Sequence, residues 1–227
     1  MCGRFFVDTE DRYFRDLAEK INRSPLMPRF RGKLPANEYG EYGGEIAPTS
    51  VVPVLAPNRQ GERAVFPMQW GYTLPAQGSG RTPPLMINAR TETADVKPLF
   101  RDSWRQRRCV IPATAYFEWE HRLGFDGKPQ TGRKFRIEPV KGEHTFLAGL
   151  YRMEGELPVF VILTRAASQD LFWMHNRMPL LLPEESLDGW LSPKGDPAQA
   201  AAAALTETVA HEEKKEELPF FLWGRDG

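Results

Sequence analysis

The sequence predicts an α+β chain: a single domain with a mainly antiparallel, twisted or barrel-like β-sheet and peripheral helices. Three observations carry that expectation. Strand-like runs crowd the middle of the chain, helical periodicity is confined to its two ends, and no repeat or linker composition divides the 227 residues. A chain of that length can enclose one generous core.

Residues 8–23 fit a helix: Asp8 or Thr9 can cap it, Phe14, Leu17 and Ile21 fall on one face, and Pro25 stops it. From 24 to 49 the chain is rich in Pro and Gly and has no period, which reads as a long surface loop. Strands are expected at 51–55, 64–72, 109–119, 134–139, 145–152 and 159–164, where apolar residues alternate or run together. A short helix is expected at 168–174, a second from Pro183 and a third from Pro197. The third takes in the Ala-rich stretch 198–204 and then the charge run 212–217, most simply a solvated helix face. The whole of 1–227 reads as one domain, with 191–227 as a C-terminal helical extension.

Composition narrows the function classes. Hydrophobic residues make up 41% and charged residues 26%, as in an ordinary soluble enzyme. No apolar run approaches the ~18 residues that span a bilayer, and the start reaches Asp8 too soon for a secretory leader. Cys2 and Cys109 make neither a disulfide framework nor a zinc pattern, which implies a reduced, cytoplasmic setting. Four histidines without close pairing argue against a metal site, and no cofactor is expected. Net charge is zero, so bulk charge says nothing about nucleic acid; yet 21 of the 30 basic residues are arginine, whose planar fork suits phosphate. A GC-rich coding sequence gives the same excess, so local clusters must carry any such reading.

Position 2 holds the first chemistry. A small residue after Met1 is the usual condition for aminopeptidase removal of the methionine, and removal leaves Cys2 with a free α-amine beside its thiol. An α-amine in a simple peptide titrates at roughly 7.7–8.0, so part of it is neutral near pH 7. With an aldehyde it forms a Schiff base, on which the thiol can close to a five-membered thiazolidine with the high effective concentration of an intramolecular step.

Further motifs surround this one: Ala47-Pro48-Thr49, Trp70-Gly71, Asn88-Ala89-Arg90-Thr91-Glu92-Thr93, Arg107-Arg108-Cys109-Val110-Ile111-Pro112-Ala113 leading to Tyr116-Phe117-Glu118-Trp119, and His175-Asn176-Arg177-Met178-Pro179. With Cys2-Gly3-Arg4, this ordered set resembles the SOS-response-associated peptidase (SRAP) family from Cys2 to about Trp190. The resemblance implies a protein that bonds to abasic deoxyribose in single-stranded DNA through a thiazolidine at Cys2; that capture needs only a monomer, and a nucleoid-associated place in the cytoplasm is expected. It makes Cys2 the nucleophile, Asn88 its positioning residue, Glu118 the carboxylate near the amine, His175 the active-site histidine, and Arg4 and Arg90 phosphate holders. Glu45 departs from the family pattern, which has asparagine before Ile-Ala-Pro, and the loop 31–45 is longer than usual.

Taken singly, these residues have plainer readings. Glu118 lies between two aromatics and, by strand alternation, faces solvent if they face the core. His175 can cap a helix C-terminus, Asn88 can be a turn residue, and Arg90 a surface ion-pair partner. Arg101, Arg105, Arg107 and Arg108, with Trp104 among them, can line a phosphate groove or form a solvated helix face. Trp70, Tyr116, Phe117 and Trp119 can stack bases or fill the core. Cys109 reads as a small buried residue, and His121, His144 and His211 carry no assigned role. Two other functions compete: a cysteine peptidase using Cys2 and His175, with self-removal of Met1 its mildest form, and a single-stranded DNA-binding module without chemistry. β-Elimination from the Schiff base is expected as a minor lyase activity.

Overall fold

The structure, a computed structural model, describes residues 2–30, 42–75, 84–123 and 128–213. In chain order the elements are β1 (Arg4–Val7), α1 (Arg12–Asn22), α2 (Met27–Phe30), β2 (Gly44–Ile46), β3 (Val51–Pro57), β4 (Arg63–Trp70), β5 (Tyr72–Thr73), β6 (Leu85–Met86), β7 (Asn88–Arg90), α3 (Thr91–Ala94), α4 (Arg101–Gln106), β8 (Arg108–Ala113), β9 (Ala115–Leu123), β10 (Pro129–Pro139), β11 (Thr145–Glu154), β12 (Leu157–Ala166), β13 (Arg177–Pro179), β14 (Leu181–Leu182), α5 (Leu187–Leu191), α6 (Pro197–Ala202) and β15 (Thr208–Glu212).

The long apolar runs pair into a closed ring. β12 pairs with β4, β4 with β3, β3 with β8, β8 with β11, and β11 returns to β12, a five-stranded barrel. Every pair is antiparallel except β12 with β4, which run parallel at Val159–Gln69 and Phe160–Trp70. Closure satisfies strand edges that an open sheet would expose. At the parallel joint Trp70 stacks on Phe160 with ring centroids 6.2 Å apart and meets Phe5 at 5.4 Å. Gly71 follows at φ 118°, and a Cβ there would sit 2.6 Å from the Leu85 side chain, so this backbone position requires glycine.

A second sheet, in the order β15–β10–β9–β1–β2, shares one apolar core with the barrel. Its inner face carries Phe5, Tyr116, Phe135 and Ile137, all buried. Registers of Phe6 with Glu45, Arg4 with Phe117, and Phe117 with Arg136 put those five side chains on the outer face. The expected strand 109–119 is two strands, broken at Thr114. That residue's N–H donates to the Phe6 carbonyl at 2.8 Å, its hydroxyl accepts from the Asp8 N–H at 2.8 Å, and its carbonyl accepts from the Thr145 hydroxyl at 2.7 Å.

The helices are shorter than the sequence suggests. α1 buries Phe14, Leu17 and Ile21 as expected, but its cap is Asp11, whose side chain accepts from the Tyr13 N–H. Asp8 and Thr9 lie outside it because the chain there is still tied to Thr114. The expected loop 24–49 contains α2 and β2; residues 31–41 of it lie outside the described residues. The expected helix 168–174 is a succession of turns. The charge run after Pro197 is not one helix: α6 ends at Ala202, and Thr208–Glu212 pairs with β10 as a strand, with 214–217 outside the described residues. His211 is therefore on a strand, as is His121 in β9.

Two arginines hold the periphery. Arg108 is buried, and its guanidinium donates to the carbonyls of Trp190 (2.6 Å), Trp104 (2.7 Å), Arg105 (3.0 Å), Gly195 (3.1 Å) and Ser192. It thus fastens α5 and the following turn to β8. Arg177 forks onto Glu92 at 2.6 and 2.9 Å and reaches the Thr164 carbonyl at 2.6 Å, tying β13 to α3 and β12.

An Arg108→Met substitution keeps most of the volume but strips these carbonyls of their donor; it is expected to destabilise the fold by about 3 kcal/mol, read as a lower urea midpoint at unchanged slope. The Arg177 fork lowers the pKa of Glu92 to about 2. Because that folded-state value is depressed, the pair stabilises fully above the unfolded value of about 4.3, and its contribution fades as pH falls towards about 2. Glu92→Gln is expected to be less stable than wild type near neutral pH, with the gap closing between about pH 4.5 and about pH 2 in urea titrations.

Candidate active site

Cys2 lies just before β1, Asn88 opens β7, Glu118 sits in β9, and His175 ends the turns that lead into β13. The meeting of the sheet with the barrel brings these four together. Asn88 is seated on the barrel by its register with Ile162 of β12, and its Nδ2 donates to the Cys2 carbonyl at 2.9 Å. Its Oδ1 is buried with no partner among the described residues, and so is the Tyr116 hydroxyl. Native folds leave few such groups, and those they leave often await a ligand.

Cys2 is fully buried, and its thiol donates to the Arg4 carbonyl at 3.6 Å. Burial pushes the thiol pKa up, and the charge of Glu118 pushes it further. Alternation holds, since Glu118 lies opposite Phe117 and Trp119, but those aromatics are on the outer face, so Glu118 points inward and is only 4% exposed. Both faces of β9 are covered at this point, one by the barrel and one by the outer aromatic layer, so its inner-face carboxylate points at Cys2's surroundings.

His175 is not at a helix terminus. Its ring is fixed by Arg177, whose backbone N–H donates to Nδ1 at 2.9 Å, while the Arg177 carbonyl lies 3.2 Å from the same nitrogen. With Nδ1 as acceptor, the network assigns the proton of a neutral ring to Nε2. Burial lowers the His175 pKa and the nearby Glu118 charge opposes it, which leaves the ring neutral at pH 7. The expectation of unpaired histidines fails here. His121 meets His175 edge-on with ring centroids 4.7 Å apart, because the end of β9 is bonded to the turn through His121 N–H and the Met174 carbonyl, 3.2 Å.

Above this site the outer face alternates aromatics and cations. Lys134 Nζ lies 3.8 Å from the Phe117 ring centroid and 5.6 Å from that of Trp119, and Arg136 lies over Phe6 at 4.6 Å. Glu45 does not stand alone: it pairs with Arg4 at 3.5 Å and with Lys134. A cleft of about 590 Å³, lined by Trp119, Arg122, Arg133 and Lys134 among others, continues the face. Phe172 and Trp173, 64% and 51% exposed, project from the turn that carries His175. Sequence reasoning missed Lys134, Arg136 and Phe6; their signal is the cross-strand register, which emerges only once β1, β9 and β10 are paired.

Several expected phosphate contacts fall elsewhere. Arg4 belongs to the outer face, and Arg90 is exposed at the end of β7, beside Asn88. Trp70 is fully buried, with its indole donating to the Ile87 carbonyl at 3.0 Å, and cannot reach a base. Arg108 is the buried fastener described above. Arg101 pairs with Asp102 at 3.5 Å; it lies with Arg105 on α4, and Arg107 follows just before β8, whose start is about 20 Å along the strand from Thr114. Cys109 is fully buried and its pKa is pushed up by burial, as fits a packing residue.

Comparison with known proteins identifies the family of the chain. The profile described as SOS response associated peptidase (SRAP) matches residues 1–218. The abasic site processing protein YobE of Bacillus subtilis is 32% identical over 202 residues, 86% of this chain and 83% of that protein. The abasic site processing protein YedK of Escherichia coli is 32% identical over 215 residues, 92% of this chain and 87% of that protein. The crystal structure of a phage-related protein from Bordetella bronchiseptica superposes with TM-score 0.66 at 21% identity, covering 94% of this chain and 95% of that one. The chain belongs to the SRAP family.

Proposed function

We propose that this protein captures abasic sites in single-stranded DNA by bonding covalently to them through Cys2 once Met1 has been removed. The observation that carries the reading is the convergence of buried Cys2, Asn88 and Glu118 with half-buried His175 beneath a face that alternates aromatics with cations. The names of YobE and YedK, abasic site processing proteins, support it.

Opening the abasic sugar takes a proton off the C1′ hydroxyl and gives one to the ring oxygen. Glu118 can take the first and return it to the ring oxygen as the C1′–O bond opens, with the Nε2–H of the neutral His175 hydrogen-bonded to that oxygen. The Cys2 amine adds to the exposed aldehyde, and loss of water leaves a Schiff base. The thiol sulfur then bonds to the same carbon while its proton passes through Glu118 to the imine nitrogen. One C–N and one C–S bond have formed, one water has left, and nothing is oxidised or reduced. A raised thiol pKa suits this order, since the sulfur stays protonated until the electrophile is beside it. A peptidase nucleophile needs the opposite, a thiolate favoured at rest. If ring closure lags, β-elimination from the Schiff base supplies a minor lyase activity. The capture needs one copy of the chain, and no metal or cofactor enters these steps.

Intact mass spectrometry under denaturing conditions, after mixing with an abasic oligonucleotide, tests the proposal. Wild type should lose Met1 and gain the mass of the strand, and Cys2→Ala should not; an adduct on Cys2→Ala, or none on processed wild type, sinks it. Glu118→Gln should slow adduct formation by about 10²-fold. Lys134→Ala and Arg136→Ala should each weaken DNA binding evenly across sequences and reduce the slope of log affinity against log salt by about 1.

A further inference from the structure

We propose that Glu118, His121 and His175 form a binding site for a divalent transition-metal ion of the zinc class. One donor atom from each lies within 4.8 Å of the other two. Two imidazoles and a carboxylate, with a fourth position open, are a donor set that zinc uses, whereas magnesium and calcium favour oxygen alone. Zinc bonds of 2.0–2.2 Å place tetrahedral donors about 3.4 Å apart, so the widest pair need close by no more than about 1.4 Å. His121 is exposed and free to make that movement by side-chain rotation.

The fold supports the site from behind. The register of β9 on β10 breaks between Thr131 and Lys134, opposite the stretch that carries His121, and such bulges re-aim side chains. The bond from His121 N–H to the Met174 carbonyl holds the end of β9 against the turn that presents His175. Binding through Nε2 requires the other His175 tautomer: Nδ1 gives up the bond it accepts from the Arg177 N–H and donates instead to the Arg177 carbonyl 3.2 Å away, the usual outer support of a metal-bound imidazole. An ion held this way engages Glu118 and His175 together, and so acts as a reversible lock on the surroundings of Cys2. This consequence rests on the proposed chemistry of Cys2; the binding does not.

The test uses the full chain stripped with a chelator. Titration with Co²⁺ should give the visible absorption of a tetrahedral N/O site, and Zn²⁺ should displace it with one equivalent bound by calorimetry. His121→Ala and His121→Gln should each weaken binding by at least about 10-fold, while His144→Ala and Cys2→Ser should bind as wild type. Equal binding by wild type and both His121 variants overturns the site, as does binding that disappears with Cys2→Ser. Zinc should also depress adduct formation with an abasic oligonucleotide in wild type but not in His121→Ala; zinc bound through His121 with adduct yield unchanged removes the lock. If no adduct forms even in metal-free wild type, the Cys2 reading fails, and the cobalt and calorimetric results still decide the site.

Discussion

Thr114 governs how the two β-structures meet. Its amide, hydroxyl and carbonyl each bond to a different segment, Phe6, Asp8 and Thr145, so one residue locks β1, the junction of β8 with β9, and the start of β11. Everything chemical follows from that joint. It sends β9 out of the barrel as a strand covered on both faces, and Glu118 is carried with it to within reach of Cys2 and His175. A carboxylate at the same place on an ordinary half-solvated strand would be an exposed charge with nothing to act on.

The electrostatics divide along the same strand. Beneath β9 the environment is dry, and it favours neutral forms: the Cys2 thiol stays protonated and His175 uncharged. Above it, Lys134 and Arg136 lie against Phe117, Trp119 and Phe6, and Glu45 is balanced by Arg4 and Lys134. A phosphate approaching that layer competes with a carboxylate already on the surface, which makes engagement an exchange of partners for Arg4 and Lys134. The arrangement separates an exposed layer of cations and rings from a largely buried cluster of Cys2, Asn88, Glu118 and His175 on the other side of β9.

Much of this was legible in the sequence, for identifiable reasons. Apolar runs long enough for buried strands marked the barrel, and the spacing of Phe14, Leu17 and Ile21 marked the buried face of α1. Short motifs also singled out Cys2, Asn88, Glu118 and His175, which the fold brings together. What failed was whatever depends on a distant partner. The break at Thr114 was hidden because Thr is a good strand former and only tertiary bonds stop the strand there. The turns at 169–174 lack regular helix because the chain must deliver His175 back to the end of β9. Strand alternation set Glu118 opposite Phe117 and Trp119 correctly, but which of the two faces is inner depends on the pairing of β9 with β1 and β10. The pairing of His121 with His175, like the platform formed by Phe6, Lys134 and Arg136, arises from register between strands far apart in sequence.

The parallel joint that closes the barrel, where Gln69 and Trp70 meet Val159 and Phe160, has a consequence for how the molecule comes into being. Until β12 has been synthesised, β4 is an unsealed rim rather than part of a ring, and pairing across so long a stretch of chain is slow to find. A polypeptide interrupted before that point does not retain a smaller working unit; it retains an open sheet whose bare border invites a neighbouring chain. The same late closure seats Asn88 on β12, so competence at Cys2 arrives only with the last turn of the lock.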